Sequence, residues 1–509
     1  MKKRTDHLSR SSEGLFPRFS KPLERAENYI SQRAGMVERT FRHTYHAMPP
    51  VGWMNDPNGS CFALGKYHVF YQFHPYAAVW GPMHWGHFVS DDLVVWERLP
   101  VALAPDMPYD RDGCFSGSAI EKDGVMYLMY TAVADGKQLQ ALARSEDGVH
   151  FEKLGIVIGE EDTPRDCTQA DFRDPYLFER EGKYYCLIGS KNVDGDANVL
   201  LYTSSDLLKW KLVGKTWKDG RTGSGIYECP SYAAFGETDA LFLSPQYMKA
   251  DGVEHENIFG NLYMLGKLDL KCGAFCRTFE SEIDGGFDFY AAQTLHAPDG
   301  RTLMTAWMQM WDRGFPTAAH GWAGALILPR ELTLKEGRLL QSPVREIERY
   351  RTGKRFYPAC DVDGELKLEG VEGDKIDLSF DLELCESARA GIKLFVGEGA
   401  ETSVRYDVAR GQVLFDRSRM GTLIKAAPSE QDASLRRVRI EPKEGRLHFR
   451  ILLDVTSCEV FLGEGERTLT GNIYSPGKGI VFFSEGGRAR ILNVEKYDIT
   501  VPQGTDKDA

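Results

Sequence analysis

The sequence predicts an all-β protein, a five-bladed β-propeller followed by a C-terminal β-sandwich. Two internal repeats and one change of register carry this expectation. A turn followed by an aromatic-rich strand recurs five times, at Gly65–Tyr71, Gly124–Tyr130, Gly182–Ile188, Thr238–Leu243 and Gly300–Ala306. With Tyr67, Met126, Tyr184, Ala240 and Thr302 taken as equivalent, the intervals are 59, 58, 56 and 62 residues. That period suits a four-stranded antiparallel blade. A second repeat, Ser-x-Asp-x-x-x-aromatic, recurs at Ser90–Trp96, Ser145–Phe151 and Ser204–Trp210. It places Asp in a hairpin turn covered by the aromatic ring. Beyond Leu328–Leu332 the pattern shifts to short alternating strands, such as Lys375–Phe380, with frequent turn signals, as in a β-sandwich.

The elements follow in order. Residues 1–43 form an N-terminal extension that is partly helical, with an amphipathic helix expected over Pro22–Ala34. Residues 44–335 form the propeller. Residues 336–354 form a linker containing a short helix, with Ser342 as its cap and Pro343 at its first position. Residues 355–501 form the sandwich, and the polar residues 502–509 a disordered tail.

The repeat also locates the chemistry. Gly52-Trp53-Met54-Asn55-Asp56-Pro57-Asn58-Gly59 holds one acid in a run that suits neither helix nor plain strand. Two more acids recur in similar settings, Phe172-Arg173-Asp174-Pro175 and Tyr227-Glu228-Cys229-Pro230. Asp56 lies 11 residues before Tyr67, Asp174 10 before Tyr184 and Glu228 12 before Ala240. Each acid thus holds the equivalent place in its blade, on or just before the first strand. In a propeller that strand lines the central channel, so the three should converge at one mouth of one funnel. Phe115–Ser118 and Phe289–Gln293 should line the same funnel from the other two blades. Taken singly, Asp56 could be a turn-former and Asp174 a turn cap. Glu228 has the weaker structural alternative, because an unpaired acid among apolar strand residues is costly. Convergent carboxylates are the working parts of glycoside hydrolysis.

Composition sets limits. The net charge of −12 argues against nucleic acid or an anionic membrane as the main partner. No run approaches the roughly 18 apolar residues of a membrane span. The ten Cys include no CxxC pair, so a zinc site of ordinary spacing is not expected, and neither a metal nor a cofactor is. His84 and His87 suggest a metal pair, but no acid lies at ligand spacing, and packing is the expected role. Several Cys sit in apolar runs and read as buried thiols. With no apolar h-region in Met1–Met36, they point to the cytoplasm. The composition is compatible with a monomer or a homodimer.

These residues resemble glycoside hydrolase family 32, the β-fructofuranosidases, which carry W-M-N-D-P-N-G, R-D-P and E-C boxes in this order. Tyr71-Gln72, Trp80–His87 and Gly321–Leu326 running into Leu328–Leu332 strengthen the likeness. The last two look most like bacterial invertases and sucrose-6-phosphate hydrolases. The resemblance implies a propeller followed by a sandwich, and a retaining mechanism. In it Asp56 is the nucleophile, Glu228 the general acid/base and Asp174 the transition-state stabiliser. The substrate-binding set is then Asn55, Gln72, Trp80, Phe115, Ser116, Arg173, Tyr290 and Trp307. The partner is a small β-fructoside: sucrose, sucrose 6-phosphate or a short fructooligosaccharide. One departure stands out: many relatives have Asp after E-C-P, where this chain has Ser231. A fructosyltransferase or exo-fructanase on the same scaffold is the rival enzyme, and a non-catalytic sugar-binding propeller the rival outside catalysis. A phosphate on the leaving group would call for a cation at the rim, such as Lys191, Arg221, Lys249 or Arg313.

Overall fold

The computed structural model describes residues 20–502, apart from Ser224, Ser429 and Gln431. Five antiparallel four-stranded blades follow one another in the chain, the first joined by a short fifth strand from the last. Blade I is Gly52–Ala63, Lys66–His74, His84–Ser90 and Glu97–Leu103. Blade II is Gly113–Lys122, Val125–Ala134, Lys137–Ser145 and Glu152–Ile158. Blade III is Cys167–Arg180, Lys183–Asn192, Ala197–Ser204 and Lys211–Lys218. Blade IV is Tyr227–Phe235, Thr238–Pro245, Leu262–Leu268 and Phe275–Ser281. Blade V is Tyr290–His296, Thr302–Trp307, Arg330–Lys335 and Arg338–Pro343. The five repeated aromatic segments are the second strands. The first strand of each blade packs on the first strand of the next, and that of blade V on that of blade I, closing a ring.

The Ser-x-Asp turns join third to fourth strands. In blade I, Ser90 Oγ accepts from the Asp92 and Leu93 amides, and Asp92 Oδ1 from those of Val94 and Val95. Asp147 and Asp206 repeat the arrangement in blades II and III. A short side chain that satisfies turn amides is what this position needs.

A latch closes the ring. Between its second and third strands, blade V sends Trp322–Ala323 across to pair in parallel with Gly52–Trp53 of blade I. Gly324 follows at φ +90°, and a Cβ there would lie 2.1 Å from the Met54 carbonyl oxygen. Only glycine permits that backbone approach without strain. The helix Lys21–Arg33, one residue earlier than expected, seals blade I. It buries Ala26 and Ile30 beside Val69, Tyr71 and Phe73.

The expected boundary at 335 cuts the last hairpin of blade V, which runs on to Pro343. Ser342 and Pro343 therefore end a strand and do not start a helix. Proline is tolerated because this strand lies at the sheet's edge. The linker contracts to a 3₁₀ turn, Arg345–Tyr350, and the next strand begins at Arg351. The expected tail, residues 502–509, falls almost wholly outside the described residues, as does the start of the N-terminal extension.

The C-terminal strands form one hydrogen-bonded sheet folded over on itself. Its longest strand, Gly479–Ile499, pairs with Arg351–Leu366, Lys375–Glu383 and Arg389–Gly397. Phe380, Phe449 and Phe482 meet in its core. Fully buried charges join it to the propeller. Arg330 binds Asp284 of the propeller at 3.0 Å and Glu459 of the sandwich at 2.9 Å. Asp288 lies between Arg313 at 2.9 Å and Arg417 at 2.6 Å, and Arg313 also pairs with Glu430. Removing one partner from such a pair leaves an uncompensated buried charge, at a cost of roughly 3–5 kcal/mol.

Gly324→Ala tests the latch. The added methyl collides with backbone and occupies a conformation that L residues rarely adopt, so a loss of at least about 1–3 kcal/mol is expected. Thermal unfolding should show a clearly lower midpoint. An unchanged midpoint would mean that the close approach is not needed.

Candidate active site

Every first strand breaks register at the same level. The irregularities fall between Met54 and Pro57, Phe115 and Gly117, Arg173 and Tyr176, Glu228 and Ser231, and Tyr290 and Gln293. Such bulges re-aim side chains. Asp174, Cys229 and Ala291 sit in them at φ +63°, +45° and +56°. Left-handed backbone at non-glycine residues costs about 1–3 kcal/mol each and gathers at functional sites.

The bulges bring together the three acids. Asp56 Oδ2 accepts from Ser116 Oγ at 2.7 Å, and the Cys229 thiol lies 3.6 Å from the same oxygen. Asp56 Oδ1 is buried and has no hydrogen-bond partner among the described residues. Asp174 Oδ2 accepts from the Cys229 amide at 2.9 Å, with the thiol 3.7 Å away. Glu228 divides its oxygens. Oε1 accepts from Arg173 Nε at 3.1 Å and from its terminal nitrogen at 2.9 Å, whereas Oε2 accepts from the Tyr290 hydroxyl at 2.6 Å. Arg173 is held in turn by Asp171 at 3.0 Å and Gln138 at 3.3 Å.

Crowding acids in a dry place raises their proton affinity. Burial, followed by the nearby charge of Glu228, pushes Asp56 up to about 6. Burial pushes Asp174 up to about 7, with Arg173 opposing and Glu228 and Asp56 adding to the rise.

The other expected contacts have different fates. Asn55 is buried and accepts from Trp53 Nε1 at 2.8 Å. Gln72 Nε2 donates to the Cys114 carbonyl at 3.0 Å, tying blade I to blade II. Trp80 is half exposed and meets Phe115 edge-on at 5.8 Å. Trp307 is fully buried. It backs a cluster with Trp53 at 5.6 Å and Trp311 at 4.9 Å, both partly buried. Tyr290, also expected on the sugar, is buried with its hydroxyl on Glu228. Ser231 faces the neighbouring blade, 2.7 Å from Thr294 Oγ1.

Cys229 lay in plain view in the E-C-P box, yet nothing in the sequence says that its thiol reaches two acids from different blades. Trp53 was equally visible. Trp311 and Asp171 carried no signal.

Among the phosphate candidates, Arg313 is buried against the sandwich and Arg221 is tied to Asp219 and Glu280. Lys249 is exposed, and Lys191 lies 3.9 Å from Asp171. His84 and His87 are buried, against Pro82 and His68 respectively, consistent with packing. His43, His46 and Asp454 offer ligand atoms within 4.8 Å of one another. They lie at the junction with the sandwich, where His43 is hydrogen-bonded to the Asp454 carbonyl and His46 to its carboxylate. His46 also binds Glu459 at 3.0 Å.

Comparison with known proteins decides the family. Residues 46–343 match the model of the glycosyl hydrolases family 32 N-terminal domain, and residues 346–499 that of the family 32 C terminal. The chain belongs to glycosyl hydrolase family 32. A sucrose-6-phosphate hydrolase of Zymomonas mobilis is 36% identical over 502 residues, covering 94% of each chain. A raffinose invertase of Escherichia coli is 36% identical, over 89% of this chain and 93% of its own. A family 32 β-fructofuranosidase of Bombyx mori superposes with a TM-score of 0.80 at 33% identity, over 94% of this chain and 97% of its own. A variant of that enzyme has been solved with sucrose. As a member of the family this chain is a glycoside hydrolase, with the fold its repeats predict.

The raised proton affinities have a readable consequence. Asp56 ionises more easily in the unfolded chain, so its contribution to stability is lost as pH rises from about 4 through about 6. Asp56→Asn removes that penalty. Its thermal midpoint should exceed that of the wild type at pH 7.5, and the gap should close by pH 4. An equal gap at both values would show that Asp56 is not held against its charge.

Proposed function

We propose that this protein is a retaining β-fructofuranosidase that releases the terminal β-D-fructofuranosyl unit of sucrose, sucrose 6-phosphate or short fructooligosaccharides, acting in the cytoplasm. One observation carries the mechanism: Asp56 has one oxygen held by Ser116 and Cys229, while the other, in a site shared with two further acids, makes no hydrogen bond of normal geometry among the described residues. A carboxylate fixed by one oxygen presents the other to an electrophilic carbon at little entropic cost.

The fructosyl carbon becomes oxocarbenium-like as the glycosidic bond breaks. Asp56 Oδ1 attacks it while Glu228 gives a proton to the leaving oxygen. Glu228 then takes a proton from water, which releases fructose from Asp56. Asp174, anchored by the Cys229 amide, accepts hydrogen bonds from sugar hydroxyls that tighten as charge grows on the ring. Arg173 holds Glu228 in place. Asn55, Trp80, Phe115 and Ser116 supply the remaining sugar contacts, with Trp53 and Trp311 as an apolar wall. Of the cations considered for a phosphate on the leaving group, Lys249 is exposed, and Lys191 pairs with Asp171, which in turn holds Arg173. The relatives named as sucrose-6-phosphate hydrolases support a small, singly fructosylated substrate.

Three measurements test this reading. First, kcat/KM should fall on the acid side near pH 6, where Asp56 gains its proton, as an apparent value shared with Asp174. A profile flat down to pH 4.5 would contradict Asp56 as nucleophile. Second, Glu228→Gln should lower kcat/KM on sucrose by about 10²–10⁴. It should spare an aryl β-fructofuranoside whose leaving group needs no proton. Third, kcat/KM should decline from sucrose through kestose to inulin, because distal units find no wall to contact. A steady rise with chain length would indicate an exo-fructanase.

A further inference from the structure

The Tyr290 hydroxyl has two acceptors and one hydrogen. Glu228 Oε2 lies 2.6 Å away and the Ser244 carbonyl oxygen 3.1 Å away. A phenol O–H can donate to only one of them at a time. The other Glu228 oxygen, Oε1, already accepts twice from Arg173, which marks Oε2 as the oxygen that carries the proton. Tyr290 is itself fixed: the next residue, Ala291, is in the left-handed region and its amide donates to Ser244 Oγ at 3.1 Å. One residue of blade IV, Ser244, therefore places both the strand that bears Tyr290 and the alternative acceptor for its proton.

We propose that Tyr290 is a positioning residue whose hydroxyl hydrogen changes partner with each half-reaction and so lets Glu228 serve first as acid and then as base. This rests on the reading of Glu228 as acid/base. While Glu228 is protonated, the Tyr290 hydrogen lies on the Ser244 carbonyl, and Oε2–H is free to point at the leaving oxygen. As that proton moves to the leaving oxygen, the C–O bond breaks and Asp56 Oδ1 bonds to carbon. The Tyr290 hydrogen then turns to the newly anionic Oε2. In the second half-reaction, water gives a proton to Oε2 and its oxygen to carbon, the Asp56 ester bond breaks, and the hydrogen returns to Ser244. Tyr290 never loses its proton. Burial and the neighbouring Glu228 charge push the phenol well above its ordinary range, which keeps it a donor throughout.

Tyr290→Phe removes the hydroxyl and little else. Expected is a fall in kcat/KM on sucrose of about tenfold to a hundredfold, the range for one hydrogen bond to a charged group. On an aryl β-fructofuranoside, kcat/KM should stay unchanged, because its first half-reaction needs no proton from Glu228. Inhibition by fructose should also be unchanged. Equal losses on both substrates, or weakened fructose binding, would make Tyr290 a structural or sugar-binding residue and overturn the proposal. Glu228→Gln is assayed beside it. If that variant also loses equally on both substrates, the reading of Glu228 has failed. If it discriminates and Tyr290→Phe does not, only the present inference has. Should the phenylalanine variant not fold, 3-fluorotyrosine at 290 keeps the shape and strengthens the donor. A rise in kcat/KM on sucrose alone would support the proposal, and no change on either substrate would refute it.

Discussion

Closure of the ring is the constraint on which everything else rests. Each blade contributes one bulge to the site, and no two of the three acids share a blade. Their mutual placement is therefore set by how five first strands pack around an axis, not by any local hairpin. The parallel pairing of Trp322–Ala323 with Gly52–Trp53 fixes the strand that carries Asp56 relative to blade V, which carries Tyr290. The same passage brings Gly324 against the Met54 carbonyl and beside the Trp307 ring nitrogen. A propeller that failed to close would still hold five sound blades, and it would lose the site.

The site is built against its own stability. Positive φ angles at Asp174, Cys229 and Ala291 and ionised acids in a dry funnel all raise the energy of the folded state. The compensation lies elsewhere, in strand pairing and the apolar packing between blades, and in the amides and thiol that meet the acids. Cys229 is central here. Its amide binds Asp174 and its thiol lies against both Asp56 and Asp174, so one residue of blade IV links acids from blades I and III. A side chain without a polar hydrogen would leave Asp56 Oδ2 with Ser116 as its one remaining donor among the described residues.

Much of this was legible in the sequence, because a propeller writes its period into the chain. The spacing of Tyr67, Met126, Tyr184, Ala240 and Thr302 gave the blades, and the equal offsets of Asp56, Asp174 and Glu228 gave their convergence. The Ser-x-Asp turns were legible because their chemistry is local. What escaped was whatever depends on contact between distant segments. The packing of Trp307 against Trp53, a residue far from it in the chain, is one such contact. The hydrogen bond from the Tyr290 hydroxyl to Glu228, across two blades, is another. The last blade was cut short because Pro343, read as a helix start, ends an edge strand whose partner, Arg330–Lys335, lies across a hairpin.

The charges between propeller and sandwich impose an order on the making of this protein. Blade V is complete in sequence at Pro343, but the groups that neutralise Arg313, Asp288 and Arg330 include Arg417, Glu430 and Glu459. At ordinary rates of synthesis these leave the ribosome on the order of ten seconds later. During that interval Arg313, Asp288 and Arg330 lack the sandwich residues they are buried against in the finished protein. The sandwich thus supplies the second partner of charges that the propeller alone pairs only once, Asp284 on Arg330 and Asp288 on Arg313.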